Sequence, residues 1–394
     1  MKQNIYHFIE KDKLDAVMNP IESSHGLPNE CYTHKDYMAF ERNKLFGEKW
    51  TVIGVASSVP NIGDIKSFSL QGMPLMIIRS TDNQVKVFHN VCSHRGLQIV
   101  KDNDILHNQK LLRCPYHSWS YDLNGKLIST PHIGGLNKHN VENFNKKNCA
   151  LKEVNTSVWL DLIFINLSDK AIDFNQFIEP LKKRWDLLFT EKDQKMIRRP
   201  NDYGYFKIET KCNWKFAIEN YCESYHLPWV HPELNKYSKL SDHHHIMSDS
   251  NIFAGQDTIV YDPQFKNVKK PSCFPNWPSD KLLYAEYIAL FPNVMLGIHK
   301  DHYFACWLEP VNTDYTIEHM EIYYAGDDVA FSDDYAHYRK SNMELWKTVF
   351  SEDLSSIEGM QKGRQSPAFN GGVFSPIMDN PSHQFHKWVV SSLI

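Results

Sequence analysis

The chain of 394 residues is 42% hydrophobic and 23% charged, which is the composition of a globular protein long enough for two domains. Its 43 basic and 47 acidic side chains give a formal net charge of -4, and this near balance excludes the strong basic excess typical of binding to nucleic acid or anionic membranes. The first residues contain no apolar signal segment, and no stretch reaches the roughly 18 consecutive apolar residues of a spanning helix. We therefore expect a cytoplasmic protein that binds neither nucleic acid nor membrane.

The residue pattern changes twice along the chain and predicts three parts. Residues 1–45 form a polar arm that ends in the helical pattern DYMAFERNKLF. Residues 46–170 contain short apolar runs such as VWLDLIFINL, separated by turn signals, which predicts a small all-β domain. Residues 171–394 alternate helical and strand periodicity, which predicts an α+β domain whose antiparallel sheet is covered by helices. Within that domain, the run DHHHI is expected to be a solvated loop rather than a metal site.

Two short segments of the β domain each combine one cysteine with one histidine. Cys92 and His94 stand in VCSHRGLQIV, and Cys114 and His117 stand in LLRCPYHSWS. A structural zinc accepts two cysteines and two histidines, but zinc fingers usually place both cysteines in one segment. If the two segments face one another, both thiolates bind one iron of a two-iron cluster and both imidazoles bind the other. The arrangement favours the cluster, with zinc as the alternative.

A second group of metal-binding side chains lies in NWKFAIENYCESYHLPWVHPEL. Glu219, Glu223 and His226 are spaced by four and then three residues, which predicts one face of a helix. Pro228 is expected to end this helix, so that His231 returns from the following turn. Two histidines and a carboxylate would form the facial triad of a mononuclear iron; the alternative is a hydrogen-bonded histidine pair in the core.

The carboxylate is expected on the amphipathic helix predicted over residues 333–362. Asp353 lies in the middle of its apolar stripe, where a carboxylate is costly unless it is paired or binds a metal. A helix register shifted by one residue would assign the same role to Glu352. The stripe consists of Trp346, Phe350, Asp353, Ile357 and Met360.

The cysteine–histidine segments resemble a known motif. CSHRG with CPYHSW is similar to the motif of Rieske [2Fe-2S] proteins. Respiratory Rieske proteins carry a further cysteine in each segment, joined as a disulfide, whereas this chain has Leu97 and Tyr116 there. The pattern is therefore similar to Rieske oxygenases. The cluster ligands that the resemblance implies are Cys92, His94, Cys114 and His117.

The segments NWKFAIENYCESYH and LPWVH resemble the catalytic region of Rieske-type oxygenase α subunits, and the resemblance continues to FHKWVV near the end of the chain. It implies an N-terminal Rieske domain and a C-terminal helix-grip catalytic domain, with Asn220 and Glu223 as catalytic residues. The family is usually a homotrimer, in which an acid at the position of Glu223 joins the iron site to a cluster histidine, here His117, of the neighbouring subunit. The Fe(2+) ligands that the resemblance implies are His226, His231 and Asp353.

The resemblance implies the terminal oxygenase of a two-component system. Because the chain has no dinucleotide fingerprint after a strand, electrons from NAD(P)H are expected through a separate flavin- or ferredoxin-type reductase. Glutamate at position 223, with two residues between it and Asn220, resembles the subgroup that acts on carnitine, choline and glycine betaine. We therefore predict hydroxylation of a quaternary ammonium or N-methyl compound with aldehyde release. The alternatives are an aromatic ring-hydroxylating oxygenase and, more remotely, a Rieske electron-transfer protein without catalytic iron.

An ammonium substrate would gain cation–π attraction from an aromatic cage. The sequence does not select its members, because rings on strands are usually part of the core. Candidates in the catalytic half are Tyr203, Tyr205, Trp277, Tyr284, Tyr287, Phe291, Tyr303 and Trp307.

Overall fold

The computed structural model describes residues 4–168 and 170–394. They form two compact units, one of them Gly47–Ala171 and the other Ile172–Ile394 together with the N-terminal segment up to Phe46. Within the described ranges, no helix is both long enough and apolar enough to cross a membrane.

The N-terminal segment is helical. Its helices are α1 (Lys11–Met18), α2 (Glu30–Thr33) and α3 (Lys35–Glu41), and a π-helical turn over Arg42–Phe46 follows. Leu14 and Val17 form the buried side of α1. The ring of His34 begins α3, because it accepts a hydrogen bond from the backbone N–H of Tyr37. The helix predicted over DYMAFERNKLF is confirmed.

The unit Gly47–Ala171 is all-β, as its turn-rich pattern predicts. Its strands are β1 (Thr51–Val55), β2 (Ile65–Leu70), β3 (Met73–Arg79), β4 (Val85–His89), β5 (Ile105–Leu106), β6 (Leu112–Arg113), β7 (Ser120–Tyr121), β8 (Leu127–Ser129), β9 (Glu153–Trp159) and β10 (Leu162–Asn166). They form one sheet in the order β1-β10-β9-β4-β3-β2-β5 and a smaller one, β6-β7-β8. The apolar run VWLDLIFINL is two strands rather than one, because Leu160 and Asp161 adopt positive φ and turn the chain between them.

The core of this β unit surrounds the two cysteine–histidine segments. Cys92 and Cys114 are buried in one apolar cluster with Phe88, Trp119 and Tyr121. Phe88 comes from β4 and Tyr121 from β7, so strands of both sheets contribute to the packing around the thiols. The sulfur atoms therefore lie in a desolvated part of the unit.

The second unit combines helices with an antiparallel sheet, which confirms the α+β prediction. Its helices are α4 (Phe174–Trp185), α5 (Glu191–Gln194), α6 (Trp214–Cys222), α7 (Leu227–Val230), α8 (Gly326–Phe331), α9 (Ala336–Glu352), α10 (Leu354–Gly363) and α11 (Asn380–Leu393). Its strands are β11 (Ile197–Arg198), β12 (Tyr205–Thr210), β13 (His243–Met247), β14 (Phe253–Thr258), β15 (Ala285–Leu290), β16 (Val294–Ile298), β17 (His302–Asn312) and β18 (Tyr315–Ala325). The strand order is β11-β18-β17-β16-β15-β14-β13, and β12 also pairs with β18.

Helices cover this sheet, and the predicted iron ligands stand at helix ends. α6 packs on β14, β15, β16 and β17, and α11 packs on β13, β14 and α6. β15 and β16 are buried along their whole length, which explains why their sequences AEYIAL and VMLGI are mostly apolar without strict alternation. The buried strands of the sheet therefore support α6 and the residues that follow it.

Two predictions about this unit are wrong. The helix predicted over residues 333–362 is interrupted at Asp353, between α9 and α10. Residue 353 keeps helical dihedrals, so the apolar stripe continues across the break as far as Ile357, but Met360 is exposed. The run DHHHI is not a loop, because His243–Met247 pairs along its length with β14. Cross-strand pairing, rather than the intrinsic preference of its residues, decides whether such a segment forms a strand.

A buried ion pair attaches the N-terminal segment to α6. Lys215 Nζ lies 2.7 Å from Glu41 Oε1, and both side chains are buried. Trp214 Nε1 donates to the other oxygen of the same carboxylate at 2.9 Å. Charges removed from water in this way are costly unless both partners stay in place, so the pair fixes α3 against the start of α6.

We expect Lys215→Met to lower the free energy of unfolding by about 3–5 kcal/mol, because Glu41 would remain buried without a cation. Denaturant unfolding followed by circular dichroism measures the change. Lys207→Met is the matched control, since it removes an exposed ion pair with Glu209 and should cost less than about 1 kcal/mol. Equal losses in the two variants would contradict this role of the buried pair.

Candidate metal centres

The structure brings the four predicted cluster ligands together. Cys92 and Cys114 are 1% and 2% exposed, and Cys92 is among the groups that raise the pKa of the Cys114 thiol, after burial. The Nδ1 atoms of His94 and His117 lie 3.2 Å apart, and these rings are more exposed than the thiols. The donors thus form an inner sulfur pair and an outer nitrogen pair, which fits a cluster whose two irons have different ligands.

The two segments fold into the same kind of turn. In the first, the Gly96 N–H donates to the Cys92 carbonyl, and the Cys92 N–H donates to the carbonyl five residues on. In the second, the Ser118 N–H donates to the Cys114 carbonyl, and the Cys114 N–H donates to the carbonyl of Trp119. Gly96 and Ser118 both have positive φ, a conformation that glycine adopts at little cost. The matching turns place one thiol and one imidazole of each segment in equivalent positions.

Tyr121 contacts the cluster site, although no sequence signal identified it. Its hydroxyl lies 3.2 Å from Cys92 Sγ and accepts the backbone N–H of Ser93. Burial and the hydrogen bond with Cys92 raise the pKa of Tyr121 to about 12, so the hydroxyl stays protonated and is available to donate to a metal-bound thiolate at this position. Hydrogen bonds to sulfur are among the groups that tune the potential of such a cluster.

His226, His231 and Asp353 meet in the second unit. Asp353 Oδ1 lies 3.0 Å from His231 Nε2 and 3.7 Å from His226 Nε2. One ligand atom from each residue lies within 4.8 Å of the other two. Two imidazole nitrogens and one carboxylate oxygen form the facial donor set of a mononuclear Fe(II) centre with open positions.

A carboxylate holds the far nitrogen of each histidine. Glu223 Oε1 lies 2.6 Å from His226 Nδ1, and Glu352 Oε2 lies 2.8 Å from His231 Nδ1. Each Nδ1 therefore carries the proton, and each Nε2 presents its lone pair toward the Asp353 carboxylate. Lone pairs and a carboxylate that face one another in this way repel unless a cation lies between them.

The charges around Asp353 also fit a cation. Its Oδ1 atom is buried and has no hydrogen bond from any described residue. Burial would lower the pKa of His231, but Asp353 and Glu352 raise it, so the site favours positive charge. Burial, and then repulsion from Asp353, raises the pKa of Glu318 to about 8, so this acid is neutral at pH 7. The donor set, the unpaired oxygen and the net negative charge together fit Fe(2+).

The backbone reaches this geometry differently from the sequence prediction. Glu223 and His226 do not share a helical face, because α6 ends just before Glu223, which is extended. Its carboxylate accepts backbone N–H groups of the following turn and so competes with continuation of the helix. Pro228 stands in the first turn of α7, where a proline is tolerated, rather than ending a helix. Glu219 lies apart from the ligands and pairs with His386.

The neighbours Glu352 and Asp353 contact opposite nitrogens of one ring. The sequence prediction treated Glu352 only as a substitute for Asp353, whereas the structure gives each carboxylate a separate contact with His231. Consecutive helical residues point roughly 100° apart, and the break between α9 and α10 lies at these two residues. Periodicity alone does not identify Glu352, since it lies off the apolar stripe.

A cavity of about 60 Å³ opens beside the ligands, and Asn220 lines it. Its aromatic wall consists of Tyr221, Tyr287, Trp346 and Phe350. Of the rings named from the sequence, Tyr287 lines this cavity and Tyr284 lines a different one. Tyr221 follows Asn220, and Trp346 and Phe350 precede Asp353 by seven and three residues. Their closeness to the ligands along the chain is the signal that could have identified them.

Comparisons with known proteins agree with both centres. A Rieske [2Fe-2S] domain matches residues 49–144, and the catalytic domain of ring hydroxylating α subunits matches residues 197–393. The oxygenase subunit of carnitine monooxygenase from Acinetobacter pittii is 25% identical over 379 residues, which cover 92% of this chain and 91% of that protein. The α subunit of 2-aminobenzenesulfonate 2,3-dioxygenase from Alcaligenes sp. is 32% identical over 207 residues, which cover 52% of this chain and 50% of that protein.

Solved structures share the fold. A quaternary ammonium Rieske monooxygenase in complex with an inhibitor has a TM-score of 0.77 at 21% identity and covers 97% of this chain and 98% of its own. Naphthalene 1,2-dioxygenase from Rhodococcus sp. has a TM-score of 0.72 at 16% identity and covers 100% of this chain and 98% of its own.

The fold and the two centres define a Rieske-type non-haem iron oxygenase. The chain belongs to the family of ring-hydroxylating oxygenase α subunits, whose catalytic domain accounts for half of its length. Its cofactors are a [2Fe-2S] cluster and Fe(2+). The Rieske match replaces the zinc alternative, and the catalytic-domain match excludes an electron-transfer protein without catalytic iron.

We expect Glu352→Ala to weaken binding of Fe(2+) by about 10–100-fold, because His231 would lose the acceptor that fixes its proton on Nδ1. Iron retained after dialysis against graded chelator measures the loss. Glu344→Ala, an exposed acid on the same helix, should retain iron as the unmodified protein does. Unchanged iron retention in Glu352→Ala would contradict the role assigned to this carboxylate.

Proposed function

We propose that the chain is the terminal oxygenase of a two-component system that hydroxylates a quaternary ammonium or N-methyl compound. Fe(2+), which activates O2 when it is bound, is held by His226, His231 and Asp353. The short approach of Asp353 Oδ1 to both Nε2 atoms and its lack of a hydrogen bond support this ligand set. The cluster ligands are Cys92, His94, Cys114 and His117.

The aromatic wall of the iron-site cavity is the observation that carries the substrate proposal. Four rings surround a small space beside the ligands, and a ring face attracts a methylated cation by about 0.5–2 kcal/mol. The comparisons support the same class, because a carnitine monooxygenase matches nearly the whole chain, whereas an aromatic sulfonate dioxygenase matches about half. An aromatic ring-hydroxylating activity is the less favoured alternative.

Glu223 has two roles in this proposal. Within the subunit, its carboxylate orients His226 through Nδ1. In a homotrimer, it would also connect the iron site to His117 of a neighbouring copy, so that electrons pass from the cluster of that copy to the iron. Two observations support this route: the imidazoles are the more exposed side of the cluster site, and Glu223 remains partly exposed, at 14%. A structurally similar quaternary ammonium monooxygenase is described in terms of inter-subunit electron transfer.

The proposed reaction takes two electrons from NAD(P)H through a separate flavin- or ferredoxin-type reductase. One oxygen atom of O2 enters a C–H bond next to the nitrogen, and the other leaves as water with two electrons and two protons. The hydroxylated carbon then breaks its C–N bond, and its hydroxyl proton is lost as the aldehyde and the free amine separate. Asn220 lines the cavity and is proposed to orient the substrate.

We expect Asp353→Ala to lower the iron content from about three to about two per chain, because only the cluster irons keep all their ligands. The visible spectrum of the cluster should be unchanged, and product formation should stop. Iron analysis and absorption spectra after anaerobic reconstitution measure both. Glu344→Ala should behave as the unmodified protein does, and a third iron retained in Asp353→Ala would contradict the ligand assignment.

Reconstituted protein with a generic reductase should release aldehyde from at least one of carnitine, choline and glycine betaine. Naphthalene and biphenyl, assayed in parallel, should give no diol, and Tyr287→Leu should raise the KM for the amine because one cage ring is lost. Aldehyde and diol are measured in the same reactions. Diol formation without aldehyde from any amine would reject the substrate class and favour the aromatic alternative.

A further inference from the structure

A second, larger cavity adjoins the wall of the iron site, and we call it the outer chamber. Its volume is about 200 Å³, against about 60 Å³ for the iron-site cavity. Trp346 links the two cavities: it lines the iron-site cavity, stacks on Tyr261, and donates from Nε1 to His302 Nε2 at 3.1 Å. Tyr261 and His302 line the outer chamber. The metal ligands do not line it.

Several buried polar atoms of the outer chamber have no partner. Both ring nitrogens of His299, the hydroxyl of Tyr261 and Oδ1 of Asn342 receive no hydrogen bond within the described part of the chain. A buried polar atom without a partner is destabilising, so three residues of this kind around one cavity offer hydrogen bonds to whatever occupies it. Burial lowers the pKa of His299 well below its ordinary value, so its neutral ring offers one donor and one acceptor.

Asp301 gives the outer chamber a buried negative charge. It is 8% exposed and accepts a hydrogen bond from His302 Nδ1 at 2.7 Å, and its charge helps to raise the pKa of Tyr338, after burial. Because the indole of Trp346 can only donate, His302 Nε2 accepts and the imidazole is neutral. Among the buried described residues that line the chamber, none is a cation that would neutralise Asp301.

The positive charges of the outer chamber lie nearer to solvent. Lys270 is exposed and Lys300 is half-buried, whereas Asp301 is buried. Asp262, the remaining charged residue that lines the chamber, is half-buried. The buried part of the chamber is therefore negatively charged, whereas charges of both signs lie nearer to solvent. This distribution favours a ligand whose positive end enters first.

We infer that the outer chamber is a first binding site for the alkylammonium group of the substrate, with Asp301 as its counter-charge, which this group occupies before it enters the ring-lined cavity beside the iron ligands. The inference rests on the proposed function in taking this cation as the substrate. The rings of Tyr261 and Tyr338 add cation–π attraction. A zwitterionic substrate lies with its anionic end toward Lys300, and His299 hydrogen-bonds to polar groups along its chain. The chamber thus selects for positive charge before the chemistry at iron begins.

Equilibrium binding to the oxidised holoprotein, without reductant, tests this inference. The probes are choline, its uncharged isostere 3,3-dimethylbutan-1-ol, and trimethylglycine, each titrated by calorimetry. The unmodified protein should bind choline at least about tenfold more tightly than the isostere. Asp301→Asn keeps the shape of the side chain and should weaken choline and trimethylglycine by about tenfold or more, because the buried charge pair is lost. The isostere should bind Asp301→Asn unchanged.

Lys300→Gln tests recognition of the anionic end of the ligand separately from recognition of its cationic end. It should weaken trimethylglycine alone, whereas the exposed-carboxylate control Asp314→Asn should affect no probe. Equal affinity of the unmodified protein for choline and its isostere would overturn the inference without any variant. Choline affinity retained in Asp301→Asn, or an equal loss for the isostere, would also overturn it. None of these binding measurements requires turnover. A wrong oxygenase assignment would therefore be detected by a different experiment, the iron analysis of Asp353→Ala, in which the third iron would be retained.

Discussion

The carboxylates behind the two histidines are the interaction on which the catalytic site depends. Glu223 and Glu352 each accept the Nδ1 proton of one ring, so both Nε2 lone pairs point toward Asp353. This arrangement favours a cation at the centre. It also explains the local backbone, because α6 ends where Glu223 turns back to its histidine, and the helix that carries Glu352 and Asp353 is interrupted at those residues.

The residues around the iron ligands keep the negative charge on Asp353, where it can bind a metal. Burial, and then repulsion from Asp353, raises the pKa of Glu318, so this acid favours its neutral form beside Asp353. Aromatic rings line the small cavity beside the ligands, and a second buried carboxylate, Asp301, serves the adjoining chamber. In the Rieske domain the thiols lie inside and the imidazoles outside.

Most of the fold and the candidate metal ligands could be predicted from the sequence. The predictions failed where contacts between residues distant in sequence determine the local structure. Residue spacing and the Rieske motif indicated both ligand sets, and the structure brings each set together. The helix through Glu223 and His226 was wrong, because a side-chain carboxylate satisfies the backbone there. Glu352 was considered only as a substitute for Asp353, and Tyr121 was missed, since their partners His231 and Cys92 are distant in sequence. Of the aromatic wall, the sequence analysis named Tyr287 alone, and the other three rings lie on helices.

Mössbauer spectroscopy of protein reconstituted with 57Fe tests the central claim most directly. If the carboxylate-held histidines and Asp353 bind a separate iron, a high-spin ferrous signal accounts for about one third of the iron. That signal should disappear in Asp353→Ala while the signal of the coupled cluster irons remains. A spectrum in which all the iron belongs to the cluster would contradict the account.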